Sequence, residues 1–557
     1  MVFIDEETIK WDIETDIAVV GSGSGALTTA IVGRDLGAQV TLLECTDKIG
    51  GGTSYSGGLV WIGNNHYMAE LGIKDSREDV VTYLRRISGG HHVEELLQDF
   101  VDVAPQMIRY LKENTTLNVV VAPNCSDYYA ELEGGSNEGR TLVPEIFNSK
   151  LLGSWQDKLR LSPHFPVPIT LAEAEHWGGA YGNYDNWDWP LIGKRMEEGM
   201  VGWGAALIGP LMKACIDRDV NIMMQTRALE LVQNKSGRII GVRAEQGGNS
   251  IFIHGRMGVV LACGGYEWNE DLMRLSGAPT TKSITVPSNR GDGHTMGLEV
   301  GAAWANLGNS GIAPCISIPD EQHDGQPLYR MFIFEPAFPG MIIVNKQGGR
   351  FGNEAMPQSF KDEYMRFDST TQSYPNMPSF AIWDQNYKEK YVISTVMPQD
   401  EAPEWITRAS SIEELASKLG IHPDNLQETV TTFNTHARVG KDPFFHRGDH
   451  PYDRAHGDKN QKPNPCLGPI ERQPFYGFKL VEASVFICNG LVTNRKAQVM
   501  SVRGKEISGL YAVPNVAAHL AIGLGYTSGM VHAQSMTFGY IAARHMAESK
   551  GCLETDC

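Results

Sequence analysis

The sequence lacks a long apolar run and a cluster of basic residues. Its best apolar stretch, around residues 201–212, is broken by glycine and proline, short of the roughly 18 residues of a membrane-spanning helix. Acidic residues outnumber basic ones by 66 to 48, which argues against a nucleic-acid surface. The first residues, MVFIDEETIKWDIETD, are acidic where a secretion signal is basic and then apolar. We expect a soluble, cytoplasmic protein with no nucleic-acid partner and no transmembrane segment, while transient association with a membrane stays open.

Cysteine pairs and metal-binding motifs are also missing. The 9 cysteines are scattered, odd in number and never spaced as Cys-x-x-Cys. Buried, reduced thiols are therefore favoured over a disulfide framework. The chain contains no His-Glu-x-x-His and no cysteine cluster, so we predict that no metal is bound.

Glycine is the residue that the sequence has in excess. It accounts for 60 of 557 residues, where a usual share is about 7%. No Gly-X-Y period accompanies this excess, which excludes collagen, and 11 of the glycines fall within residues 21–63. Because glycine allows positive φ angles and close approach to the backbone, this cluster predicts that the main chain lies against a ligand.

The first glycines form a phosphate-binding pattern. A short apolar run, TDIAVV, predicts a buried strand that ends at Gly21-x-Gly23-x-x-Ala26, with an additional Gly25; a helix and a second strand ending at Glu44 follow. Gly21 permits the tight turn, Gly23 lets a pyrophosphate approach the backbone, and Ala26 lets helix and strand pack. The helix N-terminus attracts the phosphates, and a carboxylate at Glu44 accepts hydrogen bonds from a ribose. This β-turn-α-β unit predicts a dinucleotide-binding domain.

The rest of the chain suggests that this domain is interrupted. Residues 286–474 are richer in proline, asparagine, aspartate and aromatics and lack the early β-α-β rhythm. The strand pattern returns in GLYAV and is followed by a predicted helix. We predict an α/β fold in which residues 1–285 and 475–557 form a discontinuous Rossmann-like domain. Residues 286–474 form an inserted α+β domain that caps it.

A second glycine cluster indicates which dinucleotide is bound. GGTSYSGG resembles the GG-T/S-x-x-SGG segment of the FAD-dependent fumarate reductase and 3-ketosteroid dehydrogenase superfamily, in which the backbone lies along the isoalloxazine ring. LACGG, GDGHTMG and GLYAVPN resemble further motifs of that superfamily, and no second strand-linked GxGxxG for NAD(P)H follows. The resemblance implies non-covalent FAD. Beyond the first turn and Glu44, it implies contacts from Gly51, Gly52, Thr53, Ser54, Ser56, Gly57, Gly58, Ala262, Gly264, Asp292 and Asn515.

Two branches of the superfamily compete. Fumarate reductases carry the phrase E-x-x-R-G-E-G, whose arginine delivers a proton, and this chain has Phe338 at the place of that arginine. Pro339-Gly340, the run GGTSYSGGLVWIGNN and the phrase MTFGYIAA resemble the 3-ketosteroid Δ1-dehydrogenase branch instead. The DYY phrase and the later GG and GR pairs also resemble a substrate loop of that branch.

Desaturation beside a ketone removes a proton from the α-carbon and a hydride from the β-carbon. Flavin N5 takes the hydride, and hydrogen-bond donors aimed at the carbonyl oxygen lower the barrier as it gains negative charge. The resemblance implies that Tyr526 and the backbone of Gly529 hold the carbonyl, although Tyr526 is one residue closer to MTFG than in the family. It implies a tyrosine as base, for which we prefer Tyr329, supported by Tyr128 or Tyr129.

The function that we expect is FAD-dependent desaturation of a cyclic ketone, with 3-ketosteroid 1,2-dehydrogenation as the first candidate. Electrons would pass to a quinone-like or dye acceptor. Three alternatives stay open: a desaturase of a smaller alicyclic ketone such as a cyclohexanone, a fumarate-reductase-like alkene reductase, and a flavoprotein subunit that only relays electrons.

Overall fold

A computed structural model describes residues 9–178 and 184–553 of the chain. Its β-strands are β1 (Ile13–Val20), β2 (Val40–Leu43), β3 (Val60–Trp61), β4 (Val119–Val121), β5 (Thr141–Pro144), β6 (Phe147–Asn148), β7 (Met200–Val201), β8 (Asn221–Met223), β9 (Thr226–Gln233), β10 (Ile239–Gln246), β11 (Asn249–Leu261), β12 (Trp304–Ala305), β13 (Ser310–His323), β14 (Gln326–Met331), β15 (Met341–Asn345), β16 (Ser379–Asp384), β17 (Thr407–Ala409), β18 (Phe475–Lys479), β19 (Val481–Ile487), β20 (Gly490–Leu491), β21 (Gln498–Met500) and β22 (Glu506–Ala512).

Its α-helices are α1 (Ser24–Asp35), α2 (Gly51–Tyr55), α3 (His66–Glu70), α4 (Arg77–Ile87), α5 (Glu94–Asn114), α6 (Leu171–His176), α7 (Trp189–Glu197), α8 (Trp203–Asp217), α9 (Glu270–Leu275), α10 (Asp292–Glu299), α11 (Gln358–Met365), α12 (Gln385–Lys388), α13 (Ile412–Leu419), α14 (Pro423–Arg438), α15 (Pro451–His456) and α16 (Met530–Leu553). Within the described ranges, no helix combines the length and the apolar character needed to span a membrane.

The main sheet has eight strands, and β1 lies at its centre. The order is β21-β22-β11-β1-β2-β8, and β10 and β9 extend from β11. Strand β1 pairs in parallel with both β11 and β2. Its side chains alternate between two cores: Ile17 and Val19 pack with helices α1, α8 and α16, whereas Ala18 and Val20 pack toward β9 and β10. Burial on both faces explains the continuous apolar run, and the predicted α/β class with its Rossmann-like unit is confirmed.

Between β12 and β20 the chain forms two smaller sheets, and we call this region the inserted unit. One has the order β14-β13-β19 and the other the order β15-β16-β18-β17, with α13 and α14 packed on the second. Strands β18 and β19 carry the inserted unit through Ile487, beyond the predicted boundary at residue 474, and its first long strand begins at Ser310, later than residue 286. These strands pair with partners far along the chain, which no local composition shift reveals.

One buried cation holds the loop that joins the two inserted sheets. The side chain of Arg447 is fully buried. It donates to the carbonyl oxygens of Pro336 at 2.6 Å, Phe338 at 2.8 Å and Met341 at 2.7 Å, and to the carboxylate of Glu354 at 3.2 Å. Buried carbonyls need such partners, so the guanidinium fixes the course of this loop.

We expect Arg447→Met to destabilise the protein by about 3–5 kcal/mol, because it leaves three buried carbonyls without their donor, while Glu354 keeps its pair with Arg350 at 2.6 Å. The measurement is the free energy of unfolding in urea. Arg438→Met is the matched control: it removes only the exposed pair with Glu471 and is expected to cost less than about 1 kcal/mol. Equal losses in the two variants would contradict this role of Arg447.

Candidate active site

The glycines of the first turn have different structural reasons. Gly21 has φ +108°, and a Cβ there would lie 2.4 Å from the carbonyl oxygen of Ala262, at the end of β11. A Cβ on Gly25 would lie 2.2 Å from the Ser535 hydroxyl oxygen, where α1 crosses α16. Both glycines are thus required by protein packing.

Gly23 has no such constraint from the protein. It precedes α1 with φ −72°, and the nearest atom to an added Cβ is the Thr53 hydroxyl oxygen at 3.6 Å. Added Cβ atoms on Gly51 and Gly52 would also meet nothing closer than 3.9 Å. The backbone therefore leaves an open cradle between the first turn and the second glycine segment, at the N-terminus of α1. A dinucleotide pyrophosphate fits this cradle.

Glu44 lies directly after β2, beside the first turn. Its side chain is buried and accepts hydrogen bonds from the Thr46 amide at 2.8 Å and hydroxyl at 2.7 Å on one oxygen, and from the Ser22 hydroxyl on the other. These donors hold the carboxylate in one orientation at the place where a ribose would lie.

The other predicted cofactor residues approach the same edge of the sheet. A Cβ on Gly293, the neighbour of Asp292, would lie 2.8 Å from the Cys263 sulfur and 3.0 Å from Val516, next to Asn515. The segments of Ala262, Gly264, Asp292 and Asn515 thus meet beyond the ends of the parallel strands, where ligands of such sheets bind. The Asp292 carboxylate itself pairs with Arg227 at 2.7 Å, and the Asn515 oxygen lies 2.8 Å from His519 Nε2.

Two buried residues at this edge were not singled out from the sequence. The Asn289 amide lies against Gly264 and near Gly52, and it donates to Glu267 at 3.1 Å. Burial of Glu267 raises the pKa of its carboxyl to about 7. The position of Asn289, two residues before the GDG phrase, was the available signal.

A cavity of about 840 Å³ continues from the second glycine segment into the inserted unit. Its lining includes Gly52, Tyr55, Ser56, Gly57, Gly58, Cys125, Tyr128, Phe334, Phe338, Tyr391, Tyr452, His456, Phe486, Tyr526, Ser528, Gly529 and His532. Volume and aromatic lining are those of a site for a hydrophobic small molecule.

Tyr526 and Gly529 lie together at the glycine-lined end of this cavity. The Tyr526 ring stacks on Phe486 with centroids 4.6 Å apart, and burial holds the pKa of its phenol well above 10, so the phenol stays a neutral donor. Gly529 has φ +93°, and a Cβ there would lie 2.7 Å from the Trp61 nitrogen. Among the described backbone contacts its own N–H is not used.

Tyr128 lies beside them. Its hydroxyl is 3.2 Å from that of Ser528, and its ring meets the ring of Tyr526 at 5.8 Å. Tyr452, from α15 of the inserted unit, packs edge-on against Tyr128, with ring centroids 4.6 Å apart. Tyr452 was not predicted from the sequence because it does not lie in a recognisable motif.

The loop that carries Tyr128 is fixed by a buried ion network. Asp127 accepts from Arg140 at 2.8 Å and from the Trp61 indole at 2.7 Å. Arg140 also pairs with Asp75 at 2.6 Å. The ion pair between Arg140 and Asp127 explains why the DYY motif and the later Gly-Arg pair occur together, because the arginine neutralises the charge of the buried aspartate.

The other two predicted tyrosines do not line this cavity. Tyr129 packs behind Tyr128 and Tyr452. Tyr329 is on β14 and lines a separate polar crevice with Arg227 and Asp292. Strand β14 reaches the aromatic cavity at Met331, two residues or about 6.5 Å along the strand from Tyr329. The structure therefore does not bring Tyr329 to Tyr526.

The groups of His, Cys, Asp and Glu within the described ranges include none that could hold a metal ion.

Comparison with known proteins gives consistent matches over nearly the whole chain. The family described as the FAD binding domain matches residues 16–528. The 4-oxocyclohexanecarboxylate 2-dehydrogenase of Sinomonas cyclohexanicum is 34% identical over 544 residues, which cover 96% of this chain and 92% of that protein. The 3-oxosteroid 1-dehydrogenase of Mycobacterium tuberculosis is 33% identical over 570 residues, covering 97% and 99%.

A solved structure is similar as well. The crystal structure of 3-ketosteroid Δ1-dehydrogenase from Sterolibacterium denitrificans, in complex with 1,4-androstadiene-3,17-dione, matches with a TM-score of 0.88 and 30% identity. The match covers 96% of this chain and 100% of that one.

Gly23 borders the ligand cradle and Gly25 packs against the protein, so their alanine variants should differ in FAD binding and in stability. Gly23→Ala should leave the unfolding free energy of the FAD-free protein unchanged but weaken FAD binding at least tenfold, because only the ligand side is obstructed. Gly25→Ala should destabilise the FAD-free protein, because the new methyl group meets Ser535. Flavin release on dilution and urea unfolding measure the two effects. A Gly23→Ala protein that retains FAD normally would contradict the cradle.

Proposed function

Because this chain belongs to the family of the FAD binding domain, we propose that it desaturates a 3-ketosteroid between C1 and C2, with non-covalently bound FAD. The chain is an FAD-dependent oxidoreductase of the 3-ketosteroid dehydrogenase-like branch, as its motifs predict. The observation that carries the proposal is the pairing of a buried phenol with an unused amide: Tyr526 and Gly529 both border a cavity that the flavin-type glycine segment also borders.

When bound, FAD supplies the acceptor of the hydride from the β-carbon. The Tyr526 hydroxyl and the Gly529 N–H donate hydrogen bonds to the ketone oxygen, which becomes more negative as the α-proton leaves. In a cavity lined mainly by apolar groups, each such donor accelerates the reaction by about a hundredfold to a thousandfold. Because Tyr526 is buried and neutral, it donates without first having to gain a proton.

We assign the proton acceptor to Tyr128. Of the tyrosines considered from the sequence for this role, it lines the cavity next to Tyr526, whereas Tyr329 does not. Burial raises the pKa of the Tyr128 phenol, and its hydrogen bonds with Ser528 and Tyr452 oppose that rise. The phenolate oxygen takes the α-proton and becomes a hydroxyl, while the C–H electron pair forms the new double bond as hydride leaves. The electrons then pass to a quinone-like acceptor.

The similarity to the 4-oxocyclohexanecarboxylate enzyme supports a second candidate, desaturation of a smaller alicyclic ketone. The volume of the cavity favours the larger steroid. Reduction of an alkene such as fumarate is less well supported: Phe338 stacks on Tyr391 at 4.7 Å and offers no proton at the place where fumarate reductases have an arginine.

Anaerobic addition of 4-androstene-3,17-dione to the yellow holoenzyme should bleach the flavin, and the 1,4-diene-3-one should form. The measurement is stopped-flow absorbance at about 450 nm with chromatography of the product. A flavin that stays oxidised with steroids but bleaches with cyclohexanones would favour the second candidate. A flavin that stays oxidised with both would refute ketone desaturation.

Three tyrosine variants separate the assigned roles. Tyr526→Phe should lower kcat by about a hundredfold or more while FAD is retained. Tyr128→Phe should abolish exchange of the α-proton with deuterated solvent. Tyr329→Phe, at the other crevice, should leave kcat and KM unchanged.

The pH dependence tests the base. Because Tyr128 must be deprotonated to act, kcat/KM of the wild type should rise with pH across the alkaline range. A profile that is flat above pH 7 would contradict a phenolate base.

A further inference from the structure

Beyond Tyr128, the aromatic wall of the cavity continues toward the inserted unit. The Tyr452 ring separates Tyr128 from His456, whose ring centroid lies 4.2 Å from that of Tyr452. His456 also stacks on Phe334, with ring centroids 5.8 Å apart. The imidazole thus contacts two aromatic rings, and a series of ring contacts runs from it through Tyr452 and Tyr128 to Tyr526.

The hydrogen bonding of His456 determines its tautomer. Its Nδ1 lies 2.9 Å from the backbone carbonyl oxygen of Tyr452. A carbonyl oxygen only accepts, so Nδ1 carries the hydrogen and Nε2 has the lone pair. Burial and the nearby Lys459 ammonium both lower the pKa of the imidazole, so it is neutral at pH 7.

The lone pair on Nε2 has no partner among the described residues, and His456 lines the cavity. The nearby polar groups are otherwise engaged. Lys459 lies 3.7 Å from Glu175, and Asp458 accepts from the Tyr391 phenol at 2.6 Å. His456 Nε2 is thus a fixed hydrogen-bond acceptor among aromatic side chains. A ligand that places a hydrogen-bond donor there is favoured over a ligand that places a second acceptor there.

We propose that His456 Nε2 accepts a hydrogen bond from a hydroxyl group at the end of the substrate opposite to the oxidised ketone. This inference rests on the proposed function, since the Tyr526 end holds the ketone. His456 is then a specificity-determining residue. A steroid with a hydroxyl at that end donates a hydrogen bond to Nε2, whereas a ketone there places its oxygen, an acceptor, opposite the acceptor Nε2. Sites that hydrogen-bond a hydroxyl discriminate strongly against analogues that lack it.

The test compares testosterone, which carries a 17β-hydroxyl, with 4-androstene-3,17-dione, which carries a 17-ketone. The holoenzyme is assayed for kcat and KM with a dye acceptor. We expect kcat/KM to favour testosterone at least fivefold, mostly through KM. His456→Phe should bring the ratio of the two steroids near one, with kcat for the dione changed less than twofold.

Two further variants make the outcome specific. His456→Gln retains an acceptor and adds an N–H donor, so the dione should gain relative to wild type. His446→Phe replaces an exposed histidine that is not among the cavity-lining residues and should leave the ratio as in wild type. FAD content of each variant is measured to confirm that the holoenzyme has formed.

Failure of the proposed hydroxyl contact can be distinguished from failure of the proposed function. If both steroids are oxidised with equal kcat/KM, or the dione is preferred, the hydroxyl contact is refuted and the proposed function stands. A large fall of kcat for the dione in His456→Phe would also refute it, because the residue would then act in the chemistry. If neither steroid is oxidised, the proposed function and this inference fail together.

Discussion

The cofactor cradle and the adjoining cavity depend on close backbone contact at the ends of the parallel strands. Gly21 lies against the carbonyl of Ala262, and Gly25 lies against Ser535 of the last long helix. Side chains at either position would force apart the strand, the first helix and the C-terminal helix. Because these contacts exist, the first turn, the second glycine segment and the carboxyl ends of three strands form one cradle, and the cavity for the reacting molecule begins at its edge.

Chemistry at this edge is shared between the two parts of the protein. The Rossmann-like part contributes Gly57 and Gly58 on one side and the loop of Tyr526 and Gly529 on another, whereas the inserted unit contributes Tyr452 and aromatic neighbours. Buried ion pairs hold the contributing loops at fixed positions, Arg140 under the Tyr128 loop and Arg447 under the loop around Phe338. In both places a guanidinium satisfies oxygen atoms that water cannot reach.

Sequence motifs predicted the structure correctly where the residues that interact are close together in the chain. The strand that ends at Gly21, the helix after it and the acid at Glu44 belong to one contiguous unit, so its fold and its dinucleotide site could be predicted from residue types and spacing, while the family was implied by the resemblance of further motifs. The edges of the inserted unit could not, because β18 pairs with β16 and β17, and β19 with β13, at separations of 66 residues or more. Tyr452 escaped notice for the same reason, and Tyr329 was favoured on spacing alone although its strand carries it to another crevice.

By itself the sequence determined a dinucleotide-binding α/β domain, because steric demands on glycines and a ribose-binding acid leave contiguous motifs, and the resemblance of its glycine segments to a known superfamily implied FAD and an oxidoreductase. Only the tertiary structure decided which phenols share a cavity. Tyr128, Tyr452 and Tyr526 come from three distant segments, and their rings meet through packing of the inserted unit on the main domain. Proximity of that kind is a property of long-range contacts, and no spacing along the chain encodes it.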